Sequence, residues 1–301
     1  MTRDRRVFPF SRGQSPRVQN WHGAHVVVTG GSSGIGRAFV RQVVRRGATV
    51  SVLALDDQDL AATVGELAVA ALPHQVVATD VTDPGSVTGA LARATEALGP
   101  CDVLLTSAGV ARPGYFEHLD DEVFRRTMEV DYFGTLYAVR AVVPSMLERG
   151  RGSVVGISST AGLIGVFGYT AYSPPKFAVR GLLEVLRVEL APRGIHVGCV
   201  CPPDTDTPQL AFENQYKPRE TFAISGAIRP FTPDRVAASI VTGMEHGRFL
   251  ITPDWQGQVV ARTAGLVREA WFAYFDARVR ASHRSSHSGH TNSGHTTRVP
   301  K

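Results

Sequence analysis

The sequence predicts one doubly wound α/β domain, a central and mostly seven-stranded parallel sheet flanked by helices. Three observations lead there. Short Val/Ile/Leu-rich runs alternate with longer helical patterns, which is how βαβ units read in a sequence. A glycine-rich turn joins the first apolar run to the first helical segment. The length of 301 residues fits one such domain with tails and is short for two catalytic domains.

Residues 1–22 are polar, basic and unpatterned, which predicts a disordered tail ahead of a domain spanning 23–280. The first strand, 25–29, is His25-Val26-Val27-Val28-Thr29, and helix 34–46 leaves the glycine turn. Strand 49–54 runs out through Val52-Leu53-Ala54 to Leu55 and the acidic pair Asp56-Asp57, where helix 57–71 begins. Strand 75–79, helix 84–98, strand 102–106, helix 120–149, strand 153–157, helix 170–192 and strand 195–200 continue the alternation. The segment Asp206 to Pro230 is too long for a simple connection and predicts a substrate lid (206–230), with Phe212, Tyr216, Phe222 and Ile224 as an apolar wall. Helix 233–246, strand 248–251 and helix 256–280 close the domain. Residues 281–301 form a Ser/Thr/Gly/His tract, a second disordered tail. Its His283, His287, His290 and His295 could bind a metal opportunistically, but a solvated tail is the plainer reading, and no metal site is assigned.

Composition limits the function classes. With 43% hydrophobic and 20% charged residues the chain is ordinary globular material. The net charge of +5 comes from the ends: five Arg against one Asp in residues 1–20, and two Arg with one Lys in 281–301. The domain between them is slightly acidic, which argues against nucleic acid as a partner. Cys101, Cys199 and Cys201 are too few and too unevenly placed for a disulfide framework and read as buried thiols in a reducing compartment. The N-terminus lacks the apolar region of a secretory signal. Of the 24 uncharged residues from Gly152 to Pro175 only 11 are apolar, so this run does not specify a spanning helix. A cytoplasmic protein is expected, with peripheral contact at a membrane surface left open.

Two constellations carry chemistry. In Thr29-Gly30-Gly31-Ser32-Ser33-Gly34-Ile35-Gly36, glycines let the backbone approach a pyrophosphate, and the amides opening the helix hold its negative charge. The second is Ser159, then Tyr172, then Lys176 four residues on, so that the phenol and the amine share one helix face. A phenol near pKa 10 is a poor acid-base group at neutral pH, and a neighbouring ammonium favours the phenolate. A serine hydroxyl alongside can hold the substrate oxygen while the proton moves.

Together, Thr29-Gly30-x-x-x-Gly34-x-Gly36, Ser159 and Tyr172-x-x-x-Lys176 resemble the short-chain dehydrogenase/reductase family over about residues 24–255. The resemblance implies a Rossmann fold and hydride transfer with a nicotinamide dinucleotide. It makes Tyr172 the proton donor and acceptor, Ser159 the group orienting the carbonyl or hydroxyl, and Lys176 the ribose-binding group that tunes Tyr172. It puts Gly30, Ser32, Ser33, Gly34, Ile35 and Gly36 at the pyrophosphate, Asp80 and Val81 at the adenine, and Ser107, Ala108 and Gly109 at the strand end where the family has Asn-Ala-Gly. A homodimer or homotetramer is the implied assembly. Where the family has an Asn whose backbone bulge supports a water relay to the lysine, this chain has Asp131. A carboxylate there would stabilise the ammonium and change the relay's proton count.

Two further departures are informative. Pro174 and Pro175 lie between Tyr172 and Lys176, and proline is tolerated in a first helical turn, so the catalytic helix should begin close to Tyr172 or be locally irregular there. Cys201-Pro202-Pro203-Asp204-Thr205-Asp206-Thr207-Pro208, followed by Glu213-Asn214 and Lys217-Pro218, is similar to the 3-ketodihydrosphingosine reductase branch, as is the approach Gly165 to Tyr172. That similarity implies Pro202, Thr205 and Thr207 beside the nicotinamide and reduction of the 3-keto group of a long-chain sphingoid base with NADPH. NADP(H) is preferred, since Ala54 stands where NAD enzymes carry an acid and Arg37 could reach a 2′-phosphate; Asp56 keeps NAD(H) open.

The stretch 256–280 sets Val259, Val260, Leu266, Val267, Trp271, Phe272 and Phe275 among Arg262, Arg268, Arg278 and Arg280. This reads either as a helix on an anionic membrane or as one packed on the core or a second subunit. The expectation is an oxidoreductase interconverting a ketone and a secondary alcohol on a small lipophilic molecule. The same chemistry on a steroid, acyl or xenobiotic carbonyl, or a dinucleotide-binding protein without turnover, are the alternatives.

Overall fold

Alternate residues of a strand face opposite sides of a sheet, and here both sides are apolar. Val26 and Val28 of the first strand pack with Phe39, Val52, Ile240 and Met244 on one side. Val27 packs with Leu53, Leu104, Val154, Leu183 and Ile195 on the other. A sheet buried on both sides by helices follows, as the sequence predicts.

The computed structural model describes residues 16–69, 73–225, 229–263 and 265–288. The strands are β1 (His25–Thr29), β2 (Thr49–Ala54), β3 (His74–Ala78), β4 (Val103–Thr106), β5 (Gly152–Ile157), β6 (Ile195–Val200) and β7 (Leu250–Ile251). They pair in parallel in the order β3-β2-β1-β4-β5-β6-β7. The order reverses between β1 and β4, so the strand ends there open a crevice.

Eleven helices are described: α1 (Gly34–Val44), α2 (Gln58–Val69), α3 (Pro84–Leu98), α4 (Asp121–Met128), α5 (Gly134–Arg149), α6 (Ser173–Leu190), α7 (Pro208–Glu213), α8 (Arg219–Ser225), α9 (Pro233–Glu245), α10 (Trp255–Thr263) and α11 (Arg268–Ser288). The single helix expected over 120–149 is α4, a π-turn at Glu129–Phe133, and α5. The helix expected from 170 starts at Ser173 with Tyr172 as its N-cap and both prolines in the first turn, where amides lack intrahelical acceptors. The single helix expected over 256–280 is two, α10 and α11.

Both tail boundaries move. Trp21 is only 5% exposed, meets Phe39 edge-on, and donates its indole N–H to Glu245 Oε1 at 2.8 Å. At the other end α11 continues to Ser288. The expected tails otherwise lie outside the described residues, as do His290 and His295. Among the described residues no helix is long and apolar enough to cross a membrane.

The expected lid is built as α7 and α8. Thr207 caps α7 by accepting the Leu210 amide at 3.2 Å. α8 is tied to α11, with Arg278 Nε donating to the Ala223 carbonyl at 2.6 Å and His283 Nε2 lying 2.8 Å from Glu220 Oε1.

Candidate active site

The turn after β1 is shaped by glycine in two ways. Gly30 has φ +64°, and a Cβ on it would stand 2.6 Å from the Ala108 amide nitrogen. A Cβ at Gly36 would collide with the Gly30 carbonyl oxygen, so this glycine lets α1 close onto the turn. The resulting cleft at the strand ends measures about 910 Å³. Gly30, Ser32, Ser33, Gly34, Ile35, Asp80, Val81, Ser107, Ala108, Gly109, Pro202, Thr205 and Thr207 all line it. Gly36 and Arg37, also expected at the cofactor, are not part of that lining. Arg37 is turned onto Glu66, which Arg41 also holds at 2.7 Å.

Ser159, Tyr172 and Lys176, which also line the cleft, come from the turn after β5 and the start of α6. Tyr172 is 9% exposed and Lys176 is 4% exposed. Ser159 Oγ accepts the Ala161 amide at 3.1 Å, which fixes the hydroxyl over the cleft floor. Lys176 Nζ donates to the Ile157 carbonyl at 3.3 Å and lies 3.4 Å from Asp131 Oδ2. The π-turn places Asp131 beneath it, 1% exposed, with Oδ1 accepting the Val110 amide at 2.8 Å. Asp131 Oδ2 is buried and faces the Lys176 ammonium as its ion-pair partner. Gly109 permits this packing, since a Cβ there would stand 3.0 Å from Asp131 Oδ1 and 3.3 Å from Lys176 Nζ.

The electrostatics differ from the expected ammonium-lowered phenol. Burial raises Tyr172 well above 10, Glu213 and Asp131 add to the rise, and Ser159 and Gln209 draw it part of the way back. The Lys176 ammonium lies 5.4 Å from the centre of the Tyr172 ring and spends its charge on Asp131. Burial also raises Asp131 above the usual carboxylate range, against the pull of Lys176 and of the Val110 amide. A neutral phenol here can give a proton to an oxygen in the cleft.

The lid contributes differently from the expected aromatic wall. Phe212, Tyr216 and Phe222 are exposed and lie outside the cleft, with Arg112 stacked 3.2 Å over the Tyr216 ring. Only Ile224 of the four faces inward, and the greasy wall comes instead from Val259 and Val260 of α10 and Trp271, Tyr274 and Phe275 of α11. Glu213, Tyr169 and Gln209 line the cleft but were absent from the expected site. Glu213 lies in the cleft wall and accepts from Tyr169 Oη at 2.7 Å and from Gln209 Nε2 at 2.9 Å. The motif around Glu213 marks it in the sequence, but nothing there tells that it turns inward.

The cradle fits a dinucleotide. Gly30 and Gly34 line the crevice, and the amides opening α1 could hold the negative charge of a pyrophosphate there. Comparison with known proteins agrees: the family described as short chain dehydrogenase matches residues 24–217. The chain belongs to the short chain dehydrogenase family. A short chain dehydrogenase is an NAD(P)-dependent oxidoreductase acting on CH–OH groups, and this chain is one. It is similar to the 3-dehydrosphinganine reductase of Danio rerio, 43% identical over 240 residues covering 78% of this chain and 72% of the relative. It is also similar to the 3-ketodihydrosphingosine reductase of Dictyostelium discoideum, 40% identical over 272 residues covering 84% and 81%. Among solved structures, a short chain dehydrogenase/reductase from Burkholderia phymatum in complex with NAD superposes with TM-score 0.75 at 24% identity, over 84% of this chain and 97% of that one. That likeness is one of fold.

Proposed function

We propose that this short chain dehydrogenase reduces the 3-keto group of a long-chain sphingoid base with NADPH. One observation carries the reading: a phenol, a hydroxyl and an amine meet at the mouth of a dinucleotide cleft whose far wall is aromatic and aliphatic. The names of the similar proteins supply the substrate class. A bound nicotinamide dinucleotide would supply the hydride. Ser159 holds the carbonyl oxygen, and Tyr172 donates the proton as that oxygen gains charge. The product is the alcohol, and the proton returns to Tyr172 from solvent. Lys176 binds the ribose and is held in place by Asp131 and the Ile157 carbonyl. The apolar wall of α10 and α11 excludes water and takes the alkyl chain.

For the adenosine end we infer NADP(H). Ala54 and Leu55 line the cleft where an acid would bind ribose hydroxyls, and Asp57 Oδ1 is engaged by the Leu60 amide at 2.9 Å. Arg37 and Arg41 share one carboxylate, Glu66, which leaves positive charge beside the position of a 2′-phosphate. NAD(H) remains the competing cofactor. A homodimer is supported by an exposed apolar strip on α6, Phe177, Val185 and Val188, and peripheral membrane contact by exposed Trp255, Leu266 and Phe272 on the α10–α11 side. Free buried Cys101, Cys199 and Cys201 suit a reducing compartment such as the cytoplasm.

The test is turnover of 3-ketodihydrosphingosine with NADPH and with NADH by the wild type and by Tyr172→Phe. Faster turnover with NADPH is expected, with at least about a 1,000-fold loss in the variant and cofactor binding retained. Undiminished turnover in Tyr172→Phe would remove the phenol from the mechanism, and faster turnover with NADH would overturn the cofactor choice.

A further inference from the structure

A carboxyl group inside an apolar cleft is costly unless its charge is used. Glu213 is such a group: 6% exposed, at the end of α7, and part of the cleft wall. Two donors orient it, the Tyr169 hydroxyl at 2.7 Å and the Gln209 amide at 2.9 Å, and both are neutral. The same Gln209 also acts on the Tyr172 phenol, so the carboxyl and the phenol share one neighbour. Tyr169 and Tyr172 stand ring to ring with centroids 5.4 Å apart.

The nearby cations are engaged elsewhere. Lys217 Nζ, which lines the same cleft, lies 3.0 Å from Asp204 Oδ2, and Lys176 is held against Asp131. Arg219 is on Glu220, which the His283 ring also meets. Among the described residues Glu213 has no ion-pair partner. It is therefore a carboxyl group in the cleft wall without a cationic partner among the described residues, a place suited to a positively charged group of a ligand.

We propose that Glu213 is the specificity-determining residue of this site, binding a protonated amine carried on the carbon next to the carbonyl being reduced. The proposal rests on the substrate reading above and names the feature recognised within it: a sphingoid base carries an amine at that carbon, and a plain fatty ketone does not. The arrangement also links recognition to chemistry. Glu213 is one of the groups that raise the Tyr172 phenol, so an ammonium docked on Glu213 cancels that field and brings the phenol down toward donation. A ketone lacking the amine leaves the carboxylate unpaired in the cleft and the phenol a weaker acid.

The experiment compares two ketones of equal chain length, 3-ketodihydrosphingosine and its counterpart without the amine, on wild type, Glu213→Gln and Glu213→Asp. The readout is the ratio of the two kcat/KM values, which a general structural loss leaves unmoved because it lowers both alike. In the wild type the amine should be favoured by about 10- to 100-fold, the range of a charge-assisted hydrogen bond. Glu213→Gln should abolish most of that ratio, and Glu213→Asp should restore part of it. An unaltered ratio in Glu213→Gln overturns the proposal. If the wild type reduces neither ketone, the substrate reading fails by itself, and Glu213 is judged by titrating the NADP⁺-loaded protein with sphinganine and with the same diol lacking the amine. Tighter binding of the amine, lost in Glu213→Gln, sustains the proposal; equal binding overturns it. Should Glu213→Gln fail to fold, the two ligands on the wild type alone decide, since equal affinity removes any role for a carboxylate.

Discussion

Tyr172 sits where burial and two carboxyl groups oppose its ionisation, which keeps the phenol neutral and suits the proposed role of proton donor. The residue types and their spacing are legible in the chain, because i, i+4 on a helix puts a phenol and an amine on one face. Their electrical relation is not. Lys176 reaches past the ring to Asp131, whose position depends on a π-turn 45 residues upstream of the lysine that no local pattern announces. The sign of an Asp131→Asn change follows. The Asp131 charge raises the phenol, so removing it lets Tyr172 lose its proton at lower pH, and the donor form disappears sooner as pH rises. The alkaline limb of the reductive kcat/KM profile should therefore move to lower pH. A limb that stays in place or moves upward would contradict this coupling. Arg37 shows the same limit from another side: a cation after the glycine turn is visible in sequence, and its engagement by Glu66 on α2 is not.

Among the elements, α6 is the clearest success of local reasoning. Two adjacent prolines are accommodated most cheaply in the first turn of a helix, which fits its start at Ser173 and leaves Tyr172 at the cap, lining the cleft. The lid is the opposite case. Phe212, Tyr216 and Phe222 read as an apolar wall, yet α7 and α8 pack so that these rings face outward and the inward side carries Leu210, Glu213 and Lys217. A helix of six or seven residues has too few turns for periodicity to tell its two faces apart. The wall comes from α11, and this gives a prediction of its own. Phe275→Ala should raise KM for a long-chain ketone by roughly 10-fold, the cost of uncovering most of a ring. The effect should shrink as the alkyl chain is shortened. Equal effects on long and short ketones would show that α11 does not hold the chain.

At the scale of the whole molecule, the segment before β1 is part of the core. Trp21 packs on Phe39 of α1 and bonds Glu245 of α9, closing one edge of the helical layer over the sheet. Trp21→Ala should cost about 3 kcal/mol in denaturant unfolding, as expected for a large aromatic removed from a packed site. A loss below about 0.5 kcal/mol would mean that the segment is not held. The sequence by itself determined the seven strands, the order of strands and helices, the glycine turn after the first strand and the start of α6 at the Tyr172–Lys176 spacing, because each depends on contacts between residues close in the chain or on a short fixed spacing. Tertiary structure alone decided that Asp131 pairs with Lys176, that Glu213 lines the cleft against Tyr169, and that α11 lines it too. Those pairings join residues tens to about a hundred positions apart, and which of many possible partners meet is set by how helices pack over the sheet, a property with no local signature.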